Sequence, residues 1–465
     1  MLLRRATAVP FLMLLLSGCV VGPDYTAPET DLPGKFSEGS DESVGNVTEV
    51  AWWESFNDSL LTSYVEQGLS QNLSILQALE RINQAESDVV INTAGAFPSV
   101  SLQGSDTGAG AAGDGASAQQ RKTSNTVSGS IPVSWYLDLF GLYRRAGEAS
   151  EAQLDAAYAS ADVARLTLIS NLTDAYIGAR LYQERLQIAR SNLQSRRETL
   201  RLTQFQLDAG AASRLDVVQS EGLVNAQLST IPTLEAQYRQ QVYALSTLMG
   251  LPAPALIDQM NKKKPIPVTH AKLSSGVPAD LIRNRPDIRQ AERQLAAATA
   301  RIGVAEAQLY PSITLSGTLQ ASYSATSIAN GGMTSWSFGP GLNLPIFDGG
   351  ELRANLSKSE SVAREAYLTW KQTVLNAVQE VENALAVATR DGRTVAALRA
   401  SVSSYREALR LSTASYKDGA ISLLDVLDAQ RSVSDAEASL ANAVADQASD
   451  FVALNVAIGG GYAVQ

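Results

Sequence analysis

Gly210-Ala211-Ala212-Ser213-Arg214-Leu215-Asp216-Val217 is answered about 209 residues later by Gly419-Ala420-Ile421-Ser422-Leu423-Leu424-Asp425-Val426. Each copy is a Gly-Ala break followed by a helix start, with Ser213 or Ser422 at the N-cap and Asp216 or Asp425 three residues on, reaching back. Upstream, Phe97-Pro98-Ser99 is echoed by Tyr310-Pro311-Ser312. A unit of half the chain is far longer than the roughly 20 to 50 residues that mark solenoids. The pattern predicts a duplicated half-fold closing around a pseudo-twofold.

The 16 prolines map the helices. None lies between Pro132 and Pro232, and none follows Pro345. Because proline breaks helix interiors, two stretches rich in Ala, Leu, Gln, Arg and Glu, from about Leu142 to Asp208 and from Glu351 to Asp418, read as very long helices. Each would extend about 100 Å. Shorter partners are predicted at about Asn72–Phe97, Arg214–Met249, Asp287–Tyr310 and Leu423–Ile458. The last carries Val433, Leu440, Val444, Phe451, Leu454 and Ile458 at spacings of three, four and seven, the seam of a coiled coil or bundle.

Four other segments alternate with period two. They are expected near 99–104, 126–138, 312–323 and 334–346, with Val127, Ile131, Val133, Ile313, Leu315, Leu319, Trp336 and Phe338 on one face and mostly Ser, Thr, Gln and Gly between. About ten alternating residues is the length of a strand that crosses a bilayer at a tilt. Trp135, Tyr136, Tyr323 and Trp336 sit where an interfacial aromatic girdle would place them, as they would in any half-buried strand. The Gly, Ala and Ser-rich stretches Gly104–Asn125 and Ser324–Gly332 read as exposed hairpin loops. Four strands cannot close a barrel in lipid, so an oligomer is expected in which each chain supplies a third or a half.

Residues 1–18 read as a secretion signal, with Arg4, Arg5 and an apolar run from Val9 to Leu16. Leu16-Ser17-Gly18-Cys19 resembles the lipobox of bacterial lipoproteins, which implies that Cys19, the sole cysteine, becomes an acylated first residue. Beyond the signal no run of 18 apolar residues appears. The formal charge is −10, and loss of Arg4 and Arg5 makes it −12 before the new terminus is counted, which argues against a nucleic-acid partner. One histidine, His270, in an apparent connector leaves no Ser-His-Asp set, Cys-His pair or His-Cys metal site. No phosphate-binding loop is present, no cofactor is expected beyond the covalent lipid, and the chain reads as non-enzymatic.

Gly22-Pro23-Asp24-Tyr25, Trp52-Trp53, Arg285-Pro286-Asp287-Ile288, Pro345-Ile346-Phe347-Asp348-Gly349-Gly350 and Leu424-Asp425-Val426-Leu427-Asp428-Ala429-Gln430, with the lipobox and the two aromatic-Pro-Ser motifs, run almost end to end. Together they resemble the outer-membrane factor family of TolC-like exit ducts, in its lipidated NodT or OprM-like branch. The resemblance implies a homotrimer whose four strands per chain build a 12-stranded outer-membrane barrel, continuous with a 12-helix periplasmic tunnel. It also implies docking onto a periplasmic adaptor and an inner-membrane transporter of the resistance-nodulation-division class. The chain then divides into the signal (1–18), a lipid-anchored segment (19–57), a first repeat (58–250), a connector (251–285), a second repeat (286–459) and a tail (460–465).

Asp216 and Asp425 are explained by capping, but Asp428 is not, because the first repeat has Gln219 there. Asp425 and Asp428 share a helix face. In the family the matching pair lines the periplasmic tip of the tunnel, and threefold symmetry would gather six carboxylates into a cation-favouring constriction, with Leu424 supplying its apolar part. The resemblance further implies a latch between tips through Tyr416 and Asp216, and a plain packing role accounts for Tyr416 equally well. The arginine that some members place before the acidic pair is Ile421 here, so the same opening trigger is not implied. A type I protein-secretion duct shares the fold, and a structural coiled-coil lipoprotein without a pore would bury the same helical seams. The exported substrates are not legible, and Lys262-Lys263-Lys264 has no assigned role.

Overall fold

The computed structural model describes residues 20–29, 32–39, 46–110, 123–269, 276, 278–326 and 330–463. Cys19 and His270 lie outside them. The chain is mainly helical, with one antiparallel sheet. Its helices are α1 (Ser59–Gln71), α2 (Leu73–Ala94), α3 (Leu142–Asp208), α4 (Arg214–Leu248), α5 (Ile257–Met260), α6 (Pro278–Asn284), α7 (Pro286–Ala307), α8 (Glu351–Lys417) and α9 (Leu423–Ala457). The strands are β1 (Ser99–Val100), β2 (Gln103–Gly110), β3 (Thr123–Leu137), β4 (Ser312–Thr326) and β5 (Asn330–Asn343). Two compact units result, one from 1–29, 81–158 and 290–371, the other from 30–80, 159–289 and 372–465, and each draws on both repeats.

The two long helices of 67 residues each fall where the proline gaps place them. Both begin on the same device. Asp138 accepts hydrogen bonds from the Tyr143 and Arg144 amides, and Asp348 from those of Gly350 and Leu352, filling donors that a helix start leaves open. Helices α2 and α7 stop short of the predicted Phe97 and Tyr310, because Pro98 and Pro311 bias the preceding residues out of the helical region. Helix α1 is absent from the sequence reading. It is short and contains Gly68, but Asp58 caps it by accepting from the Leu60 amide, and it buries Leu61, Tyr64 and Val65.

In the first unit, β3 pairs with β1 and β2 on one side and β4 on the other, and β4 pairs with β5. The predicted first strand is longer than 99–104 and is broken at 101–102. The break lies opposite Pro132, which has no amide to return the bond that Ser101 gives to the Pro132 carbonyl. The strands also extend into the low-complexity stretches expected as loops, through Gly108 opposite Asn125 and Ser324 opposite Gly331, since backbone ladders do not depend on side chains. At the other end β5 stops at Asn343, leaving Leu344 and Ile346 outside it. Register aligns one apolar face: Val127 lies opposite Tyr323, Ile131 opposite Leu319, and Leu319 opposite Trp336. Those side chains are exposed in the chain, while Ser105 bonds Ser128 and Thr126 bonds Ser324 across the strands.

The described N-terminus is fastened into this unit. The Val21 amide donates to the Phe140 carbonyl, and the buried Arg145 donates to the carbonyls of Val21 and Gly22 and to Asp24 and Glu148. Gly22, at φ +86°, passes so close to Gly303 that a Cβ on it would lie 2.4 Å from the Gly303 Cα. Tyr25 donates to Glu292 and stacks under Arg293, so Gly22-Pro23-Asp24-Tyr25 is a clasp.

The second unit is built around Trp52, Trp53, Phe56, Tyr64, Tyr176, Val242, Met249 and Phe451. Trp52 donates to the Gly460 carbonyl, tying the start of this unit to the end of the chain. The connector is strapped to α3 by the fully buried Arg180, which donates to the carbonyls of Met260 and Lys262 and to Gln183. Burial alone would raise the Asp58 carboxyl, but hydrogen bonds from Lys264, Tyr176 and the Leu60 amide outweigh it and hold it below the usual carboxylate range.

Helix α9 also brings Asp446 and Asp450 beside Asp391 of α8 and Asp174 of α3. Asp391 and Asp450 face each other, with Asp446 close by. Burial and then the charge of Asp391 push Asp450 up to about 6, and burial also raises Asp391 and Asp174. Between the ordinary carboxylate value and about 6 the folded chain holds a proton that the unfolded chain has released. Stability is therefore greatest at the acid end and declines as pH rises through that window. The purified protein is expected to melt higher at pH 5 than at pH 7 by roughly 1 kcal/mol once solvent screening is allowed for. Asp450→Asn should show a smaller pH slope than the wild type in circular-dichroism melts, and an unchanged slope in that variant contradicts the assignment.

Candidate functional site

The repeated Gly-Ala-x-Ser motifs form two matching turns in the second unit. Helix α3 ends with Gly210 at φ +76°, where the Gly210 amide bonds the Leu207 carbonyl and the Ala211 amide bonds the Gln206 carbonyl. Helix α8 ends identically, with Gly419 at φ +72°, Gly419 to Tyr416 and Ala420 to Ser415. This left-handed stop closes the last carbonyls and is open to glycine without strain. The chain then restarts at once. Asp216 accepts from the Ser213 amide at 2.8 Å and hydroxyl at 2.7 Å, and Asp425 from the Ser422 amide at 3.0 Å and hydroxyl at 2.6 Å.

Beneath the turns all four helices meet. Tyr416, Leu423, Val426 and Leu427 are buried together, with Leu202 of α3, Leu223 of α4 and Leu409 of α8 packed on them. The Gln430 side chain, 5 % exposed, donates to Thr199 at 2.8 Å and Ser195 at 3.2 Å, locking α9 to α3. Ile421, at the position where some members of the resembled family carry an arginine, packs against the apolar cluster.

On the outer face of this support, Leu424, Asp425 and Asp428 are all exposed. Leu424 at 59 % and its repeat mate Leu215 at 64 % are matched apolar residues at the ends of both hairpins, and Val218 is exposed beside Leu215. The sequence motifs do not single out Leu215 or Val218, although the repeat makes Leu215 the twin of Leu424. The structure thus brings the three candidate gate residues onto one helix face over a rigid core. It does not join the candidate latch within the chain. Asp216 is held by its cap, and the buried Tyr416 hydroxyl has no hydrogen-bond partner among the described residues.

The arrangement offers carboxylates and leucines, and no base or nucleophile pair. Among the described residues no group of three His, Cys, Asp or Glu side chains could hold a metal ion, and no helix is long and apolar enough to cross a membrane. An apolar residue beside two carboxylates at a helix start can seal against a like copy, and it can attract cations.

The chain matches the model of the outer membrane efflux protein family over residues 64–251 and 277–460. It is 53 % identical over 454 residues to nodulation protein T of Rhizobium leguminosarum bv. trifolii, covering 97 % of each chain. It is 31 % identical to the solvent efflux pump outer membrane protein SrpC of Pseudomonas putida, covering 98 % of each. Its fold superposes on the outer-membrane channel OprN with a TM-score of 0.85 at 32 % identity, over 96 % of this chain and 100 % of that one.

Proposed function

Because the chain belongs to the outer membrane efflux protein family, a family of transport channels and not of enzymes, we propose that it is the exit duct of a tripartite efflux system. In this reading it is a passive, gated homotrimer for small molecules, reached through a periplasmic adaptor from an inner-membrane transporter of the resistance-nodulation-division class. The observation that carries it is the sheet. Strands β2 and β5 are edges with unpaired backbone, and the apolar face is exposed. Neither is tolerable in lipid until copies join edge to edge.

The clasp supports a lipid anchor on Cys19. It holds Val20 against Gly141, between the end of β3 and the start of α3, so an acyl chain on the preceding residue would enter the bilayer at the foot of the strands. The wild type is expected to incorporate labelled palmitate, and Cys19→Ala to lose all of it. Label retained in that variant contradicts the anchor.

The exposed hairpin ends, with Leu215, Val218 and Leu424, support docking of the adaptor there. A photo-crosslinking residue at position 218 is expected to trap an adaptor in intact cells, whereas one at Thr247, exposed near the other end of α4, should not. Equal yields at both positions, or none at either, overturn the docking assignment.

A further inference from the structure

The Lys262-Lys263-Lys264 run is accounted for only in part by the fold. Lys264 pairs with Asp58, and the Lys262 carbonyl receives Arg180. Lys263 instead reaches the rim of a separate cavity of about 290 Å³ in the second unit, between α3, α4 and the connector. Three cations line it, Arg190 from α3, Arg239 from α4 and Lys263, against a single carboxylate, Glu235. In a chain whose formal charge is −10, an excess of positive charge gathered in one concavity is against the trend.

The Tyr238 hydroxyl also lines it. Gln183 donates to the Tyr238 hydroxyl, which in turn donates to Asn261 Oδ1 at 3.5 Å, a long bond that an oxyanion in the cavity can replace.

We infer that this cavity is an anion site, in which Arg190, Arg239, Lys263 and the Tyr238 hydroxyl bind a carboxylate or phosphate group of a small polar molecule. Arg190 and Arg239 present planar donor forks suited to such oxyanions, Lys263 adds a mobile point charge, and Tyr238 completes the set with a neutral donor. Glu235 holds Arg190 at 2.9 Å in the free protein and is the group an incoming anion must displace. The site is distinct from the helix tips and does not depend on which pump the duct serves. The oxyanion can arrive free or as part of the cell-wall polymer, whose stem peptides end in carboxylates.

Titration calorimetry on the purified full-length protein in detergent separates these sources, with inorganic phosphate in one arm and a soluble disaccharide-tetrapeptide in the other. Saturable binding of either probe is expected, weakened about tenfold or more in Arg239→Gln/Lys263→Gln and by added salt. Glu235→Gln, which frees Arg190, should bind several times more tightly, a gain that a misfolded protein cannot produce. Absence of saturable binding of both probes to the wild type, or affinity unchanged in the double variant, overturns the assignment.

Discussion

Asp425→Ala/Asp428→Ala is expected to carry several times the single-channel current of the wild type in planar bilayers and to lose block by divalent cations. Both carboxylates are exposed on one face of the first two turns of α9, over a core locked by Tyr416, Val426, Leu427 and Gln430. If three copies bring these faces together, six carboxylates and three Leu424 side chains close one ring. Such a ring favours cations, is bridged by divalent ions, and weakens as salt screens it.

The two residues can be told apart. Asp425 also holds Ser422, so Asp425→Ala should lower stability by about 1 kcal/mol as well as opening the pore. Asp428 accepts no capping bond, and Asp428→Ala should raise the current with stability unchanged. Equal currents in the wild type and all three variants contradict the gate.

Arg285→Ala is expected to lower stability by about 3 kcal/mol. The Arg285 side chain is 9 % exposed and ties three elements together: it is bidentate on Asp287 at the start of α7, donates to Glu380 of α8 at 2.6 Å, and donates to the Ala457 carbonyl at the end of α9. Burial disfavours its charge, but the two carboxylates more than compensate and hold the guanidinium above its usual value. Removing it leaves both acids facing each other and a carbonyl without its donor. Arg285→Lys should recover only part of the loss, because an ammonium cannot reproduce the planar fork. Thermal melts reported by circular dichroism measure both, and a loss below about 0.5 kcal/mol in the alanine variant would place Arg285 among ordinary surface charges.

What could be read from the sequence divides along physical lines. The long helices were legible because proline and the Gly-Ala-x-Ser stops act locally, and α3, α4, α8 and α9 all lie within a residue or so of their predicted ends. Strand lengths were read less well. Alternation marks where side chains are apolar, whereas pairing at Gly108, Gly110 and Gly331 follows from backbone bonds alone. The break opposite Pro132 needed the register, which no single strand contains.

The candidate gate was legible because the two repeats diverge at Gln219 and Asp428, so the difference itself pointed to the residue. At Tyr416 the sequence is compatible with both a latch and plain packing, and within the chain its ring fills the apolar cluster beneath the turns. The buried arginines 180 and 285 were invisible as such, because an arginine in a helical stretch reads as solvated until its neighbours from distant segments are known.

In the proposed duct three chains close the sheet, β2 of one copy against β5 of the next. Native mass spectrometry of the unheated, detergent-solubilised protein tests it most directly. A complex of three chains that separates only on heating is expected. A stable single chain that remains inserted in membranes, or a complex with any other number of chains, would contradict it.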